Sequence, residues 1–109
     1  MKLTIIIPVY NEINSIDILL NKVLSSKVEK QIIVIDDFSI DGSREVITNK
    51  YTNKIDKIIL HDRNLGKGAA IISAKKYIEG DYVIIQDADL EYDPSQFELF
   101  VNEVQKKNR

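Results

Sequence analysis

The chain has 109 residues, with 15 Lys and Arg against 17 Asp and Glu and a formal charge of −2. Hydrophobic residues at 44% and charged residues at 29% exclude a disordered, collagenous or coiled-coil chain. There is no cysteine, which excludes disulfides, zinc–thiolate sites and a thiol nucleophile, and the mild acidity argues against a nucleic-acid partner.

The first apolar run is Leu3-Thr4-Ile5-Ile6-Ile7-Pro8. It is too short for the core of a secretion signal and reads as a buried strand. No run approaches the ~20 apolar residues of a membrane-spanning helix. The expected location is cytoplasmic, or at the cytoplasmic face of a membrane in a longer protein. Asn14 then reads as an N-cap with Asp17 three residues on, and Ile16, Leu19, Leu20, Val23 and Leu24 form the stripe of a half-buried helix. Gln31 to Asp36 is a second strand, apolar enough to be covered on both faces. Asp41-Gly42-Ser43 opens a second helix to about Asn49. Lys57 to His61 is a third strand, and Gly66 to Ile78 a third helix with Gly80 in the C′ position. Tyr82 to Gln86 is a fourth strand. The last helix takes Asp93 as N-cap, Pro94 at N1 and Gln96 at N3, with Phe97, Phe100, Val101 and Val104 as its stripe.

The order βαβαβαβα predicts parallel strands with right-handed crossovers, hence an α/β, doubly wound, mainly parallel sheet. Such sheets bind ligands beyond the carboxyl ends of their strands. Those ends carry Tyr10-Asn11-Glu12, Asp36-Asp37, His61 to Gly68, and Asp87-Ala88-Asp89-Leu90-Glu91.

Asp87 and Asp89 stand at i and i+2 of an extended segment, so both carboxylates point the same way. They repel unless a cation lies between them. Mg²⁺ or Mn²⁺, an oxygen-seeking ion, answers that, with Glu91 at the same spacing as a third oxygen. Taken alone, the same residues also read as a solvated acidic turn before the last helix. Asp36 and Asp37 are adjacent and point to opposite faces; one can reach a base or ribose and the other the backbone, or both serve an Asx turn. Tyr10 offers a face for stacking on a base, or is a half-exposed strand-end residue. Glu12 bonds sugar hydroxyls or sits in a first helical turn. Gly66-Lys67-Gly68 before a helix suits phosphate, though it is not a P-loop, and Arg63 is a further cation nearby. His61 reads as a packing residue at a strand end.

Four stretches, in this order, resemble the family 2 glycosyltransferases of the GT-A fold, in the branch of dolichyl-phosphate mannosyltransferases and polyprenyl-phosphate glycosyltransferases. They are Pro8-Val9-Tyr10-Asn11-Glu12, Ile35 to Gly42, Asn64 to Ala70, and Asp87 to Pro94. The resemblance implies that Pro8, Tyr10, Glu12, Ile35 and Asp37 hold the nucleotide of a UDP- or GDP-linked sugar. It implies a metal-binding D-x-D pair in Asp87 and Asp89, with Ala88 against the donor and Lys67 assisting. The second residue after the pair is often Gln in the family and is Glu91 here. The implied reaction is inverting glycosyl transfer to a lipid-phosphate or saccharide acceptor. The family's domain is roughly twice this long. Residues 1–109 are therefore expected to be the N-terminal, nucleotide-sugar-binding part of a glycosyltransferase domain, with no acceptor-side or base residue of its own. An exposed sheet edge in such a fragment invites homodimerisation.

Three other readings are open. A receiver-type signalling domain has this length and an Asp-Asp pair, but there the pair follows the first strand. A dinucleotide-binding oxidoreductase would need G-x-G-x-x-G after the first strand, which is missing. A binding module would keep nucleotide affinity without turnover.

Overall fold

A computed structural model describes residues 1–89 and 96–107. The elements are β1 (Leu3–Val9), α1 (Ile16–Ser25), β2 (Lys30–Asp36), α2 (Ser43–Lys50), β3 (Lys57–Leu60), α3 (Lys67–Ala74), β4 (Tyr82–Ile85) and α4 (Gln96–Lys107). All strand pairs are parallel, in the order β3-β2-β1-β4. The chain steps outward from β1 to β3, then returns to the other side of β1. The winding direction therefore reverses between β1 and β4.

That reversal decides which face each helix covers. Leu3, Ile5, Ile7 and Val9 of β1 pack with Ile16, Leu19, Leu20 and Val23 of α1, Ile47 of α2 and Phe97 of α4. Ile6, Ile33 and Ile35 face the other way and pack beneath Ala70 and Ala74 of α3. The small alanines let α3 lie close to the sheet. Both faces of β1 and β2 are covered, as their unbroken apolar runs require. The outer strands are covered less completely, and β4 alternates. Tyr82 and Ile84 meet the larger core, while Val83 and Ile85 are each 44% exposed on the same side of the sheet as α3, at a strand that α3 does not cover.

The helix ends differ from the expectations above. α1 starts after Ser15 rather than Asn14, and no side chain caps it. Its amino end is held from outside by the loops described below. α3 stops at Ala74 and passes into a 3₁₀ turn at Lys75–Tyr77. Gly80 is not a left-handed C′ residue, since its φ is not positive. It is there because a Cβ would lie 2.5 Å from Thr4 Oγ1 and 2.7 Å from Thr4 N. The expected cap at Asp93 and Pro94 falls outside the described residues.

The amino end of the sheet is closed by polar groups. Thr4 Oγ1 donates to Gln31 Oε1 at 2.7 Å, Gln31 Nε2 donates to the Tyr77 carbonyl at 2.6 Å, and Gly80 N donates to Thr4 Oγ1 at 2.8 Å. Lys2 N donates to Asp81 Oδ2 at 2.9 Å. Nearly every buried polar atom here is satisfied by its neighbours, so this end is structural.

Candidate functional site

The opposite end is built from loops that brace one another. After β1, Asn11 takes φ +53°, a left-handed conformation that asparagine tolerates. Its amide donates to Ser39 Oγ at 2.9 Å, and its side-chain oxygen accepts from Ile40 N at 2.9 Å. Glu12 N donates to Ser43 Oγ at 2.8 Å, and Ile13 N to Asp41 Oδ2 at 3.1 Å. The loops after β1 and β2 thus form one unit that carries Tyr10 and Glu12. The loop after β4 joins it where the Ser15 hydroxyl donates to the Ala88 carbonyl.

Asp36 and Asp37 separate as their alternation requires. Asp36 is fully buried; its Oδ2 accepts from Ser39 N at 3.0 Å and from Arg44 Nε at 2.7 Å. Its Oδ1 has no hydrogen-bond partner among the described residues. Asp37 turns towards the third loop. Its Oδ1 accepts from Leu65 N at 2.8 Å and from His61 Nδ1 at 2.9 Å, and its Oδ2 from Gly66 N at 2.8 Å. Burial works to raise the Asp37 pKa, but the donors from Leu65, His61 and Gly66 outweigh it and hold the carboxyl below its ordinary value. The clamp also fixes Gly66, whose φ of +96° suits glycine, and so sets where α3 begins.

These loops enclose a cleft of about 260 Å³, lined by Pro8, Val9, Tyr10, Glu12, Asp37, Lys67, Ala70, Asp87, Ala88 and Asp89. It lies beyond the carboxyl ends of β1 and β4, where the winding reverses and an open α/β sheet leaves a crevice. The expected site residues Pro8, Tyr10, Glu12, Asp37, Lys67, Asp87, Ala88 and Asp89 all line it. Ile35 does not. Its side chain is fully buried beneath α3, because its place in β2 points it into the smaller core. Arg63 is exposed and is not part of the lining.

Tyr10 is 47% exposed and presents a ring to the cleft. Asp87 is half-buried and paired with the Lys67 ammonium. A cation already sits on that carboxylate, and Asp87 with Asp89 offers an oxygen-only donor set that fits Mg²⁺ or Mn²⁺. Among the described residues, no three His, Cys, Asp or Glu side chains form a metal cage. Glu91, expected as a third ligand, lies outside the described residues.

Two groups escaped sequence reasoning. Arg44 is the ion partner of Asp36, and the signal was available: an aspartate ending a buried strand needs a cation, and Arg44 is the next one along the chain. Ser73 meets His61 Nε2 at 2.8 Å, a contact with no signature in the sequence.

Residues 4–109 match the family Glycosyl transferase family 2. The chain belongs to glycosyl transferase family 2. It is 36% identical over 104 residues to the undecaprenyl-phosphate 4-deoxy-4-formamido-L-arabinose transferase of Aeromonas hydrophila, covering 90% of this chain and 32% of that one. Against the enzyme of the same name from Yersinia enterocolitica the identity is 36% over 110 residues, covering 93% of this chain and 33% of the relative. The chain thus spans about a third of the length of the curated relatives it matches. Among solved structures, S. aureus TarS 1-349 in complex with UDP-GlcNAc superposes with a TM-score of 0.82 at 28% identity, over 97% of this chain and 32% of that one. The mannosyltransferase PcManGT from Pyrobaculum calidifontis, in complex with GDP-Man and Mn²⁺, gives 0.72 at 25% identity, over 80% of this chain and 27% of that one. Family and fold agree with the resemblance read from the four motifs. The receiver and oxidoreductase readings are set aside.

Proposed function

We propose that this chain is the donor-binding part of a glycosyltransferase that moves a sugar from a nucleoside-diphosphate sugar to a polyprenyl phosphate, with inversion, at the cytoplasmic face of a membrane. The observation that carries the reading is the meeting of Tyr10, Glu12, Lys67, Asp87 and Asp89 in one cleft at the reversal point of the sheet. Tyr10 stacks on the base and Glu12 bonds the ribose. Lys67 faces the diphosphate. Asp87 and Asp89 would hold a divalent cation, Mg²⁺ or Mn²⁺, which when bound neutralises charge developing on the diphosphate leaving group. The lipid acceptor is supported by the names of the curated relatives, and the diphosphate donor by the structures of TarS and PcManGT. A phosphate acceptor is already anionic and needs no base to expose its nucleophile. No helix among the described residues is long and apolar enough to cross a membrane, so this part would meet the lipid from the water side.

A thermal-shift series tests the reading. UDP, GDP and their sugars are each added with and without Mn²⁺ or Mg²⁺. Ligand at ~100 times its dissociation constant should add about 2.7 kcal/mol to stability and raise the melting temperature. Asp89→Ala should remove the metal-dependent part alone. No shift with any nucleotide, with or without metal, refutes the donor site.

A further inference from the structure

The ladder between β1 and β4 stops for a covalent reason. Gln86 N donates to the Ile6 carbonyl at 2.9 Å, and the next rung of a parallel pair would take an N–H from Pro8. Proline has none. Asp87-Ala88-Asp89 therefore leaves the sheet at the rim of the cleft and must be held by other groups. Gln86 Nε2 donates to the Asp87 carbonyl at 3.1 Å, a bond from the preceding residue that moves with the segment. The Lys67 ammonium pairs with the Asp87 carboxylate. The middle of the segment is held from the start of α1, where the Ser15 hydroxyl donates to the Ala88 carbonyl.

That hydroxyl is diverted from its usual task. A serine just before a helix ordinarily turns its oxygen back to accept from an amide of the first turn. Ser15 makes no such bond. It is 8% exposed, its N–H donates to the Glu12 carbonyl at 3.1 Å, and its own carbonyl accepts from Leu19 N at 2.9 Å, so the backbone fixes its place. The hydroxyl carries one hydrogen. Ala88 is nearer to it than either Glu12 oxygen, Oε2 at 3.2 Å or the carbonyl at 3.4 Å. The Ala88 carbonyl and the Asp89 N–H share one rigid peptide plane. Fixing that carbonyl fixes the backbone from which the Asp89 side chain departs. We infer that Ser15 is a positioning residue for the divalent cation: by holding the Ala88–Asp89 peptide against α1, it keeps Asp89 placed to share an ion with Asp87. This deepens the donor-site reading and rests on it.

The test is titration calorimetry of the chain with uridine diphosphate and guanosine diphosphate, each with and without Mn²⁺. The readout is the factor by which Mn²⁺ tightens the nucleotide that binds. Ser15→Ala should cut that factor about fivefold, the affinity counterpart of one ordinary hydrogen bond, and leave the metal-free affinity as it was. Ser15→Thr keeps the hydroxyl and should retain the factor. Ser25→Ala removes a hydroxyl that donates to the Lys22 carbonyl at 3.0 Å, at the other end of α1, and should change neither quantity. Should Ser15→Ala fail to fold by circular dichroism, Ser15→Cys, which keeps the volume and weakens the donor, carries the test. An unchanged factor in Ser15→Ala, or one that falls equally in Ser15→Thr, overturns the inference and spares the donor site. So does an equal loss of affinity with and without metal, which would make Ser15 a support of the fold alone. If a nucleotide binds the unmodified chain and Mn²⁺ adds nothing, the cation pair is refuted and the inference with it. If neither nucleotide binds the unmodified chain, the donor site itself is refuted, and both fall.

Discussion

Asp36 and Asp37 are neighbours with opposite duties, and the difference follows from alternation along β2. Asp36 is wholly buried against Arg44, whose side chain is 24% exposed. Removing the cation would strand a buried carboxylate that already has one unpartnered oxygen. Arg44→Ala should cost about 3 kcal/mol in urea unfolding; a loss under ~0.5 kcal/mol would show that water reaches Asp36. Next to the pair, Phe38 holds φ +66°, a strained conformation for an aromatic residue, with the Arg44 guanidinium 5.5 Å from its ring centre. Charge at this scale also sets the response to acid. Asp37 is held below the ordinary aspartate value of 3.8, and so is Asp41: burial opposes the shift there, but Ser43 and Ile13 donors prevail. In Asp17 the Lys50 ammonium leads, with the Tyr51 hydroxyl second. A carboxylate with a depressed folded pKa stabilises the fold above its unfolded pKa, and the contribution is lost as pH falls through the folded one. Stability should therefore hold from pH ~7 to ~5 and drop below about pH 4. Unfolding free energies that rise on acidification across that lower range would contradict the assignment.

Among the elements, β4 depends on the loop before it. Gly80 lies so close to Thr4 that a side chain would meet backbone atoms, which cannot swing aside. Gly80→Ala should cost about 1–3 kcal/mol and loosen the pairing of β4 with β1. Hydrogen exchange should then quicken at Gln86 N, which bonds to the Ile6 carbonyl at 2.9 Å. Unchanged protection there would mean that the loop moves instead. β4 matters to the site because Asp87 to Asp89 hang from its carboxyl end, tied to α1 through Ser15 and Ala88. The helices are positioned by packing more than by their caps. α1 and α2 are clamped where Tyr51 OH donates to Asp17 Oδ1 and Lys50 Nζ to the same oxygen at 2.8 Å. Burial, with Asp17 beside it, raises the Tyr51 pKa.

For the whole molecule, the uneven cover of the sheet is the feature that remains. Among the described residues β3 and β4 are the edges, and Val83 and Ile85 leave an apolar strip on one of them. Such an edge offers unpaired backbone groups to a second strand. Sedimentation velocity should show concentration-dependent association, reduced by Ile85→Lys, whose side chain points away from the larger core. A monomer at all concentrations would show that the edge is protected by other means.

Much of this was legible in advance. The unbroken apolar runs of β1 and β2 could be satisfied only by helices on both sides, and the alternation of strand and helix imposed parallel pairing. The acidic and glycine-rich stretches then had to fall on one rim, so most of the expected donor-site residues share the cleft. Short-range patterns specify such things because each depends on a residue and its near neighbours. Ile35 lies outside the cleft lining because its side chain faces the core that α3 covers, and which face α3 covers follows from the reversal between β1 and β4. Gly80 was read as a helix cap because its reason lies in Thr4, distant in sequence and adjacent in space. The sharing of Asp37 among His61, Leu65 and Gly66, and of His61 with Ser73, likewise exists only once three loops have been brought together. Local sequence determines which groups reach the rim; only the packed chain decides how many of their bonding positions stay open to a ligand, because every partner that closes one comes from another element.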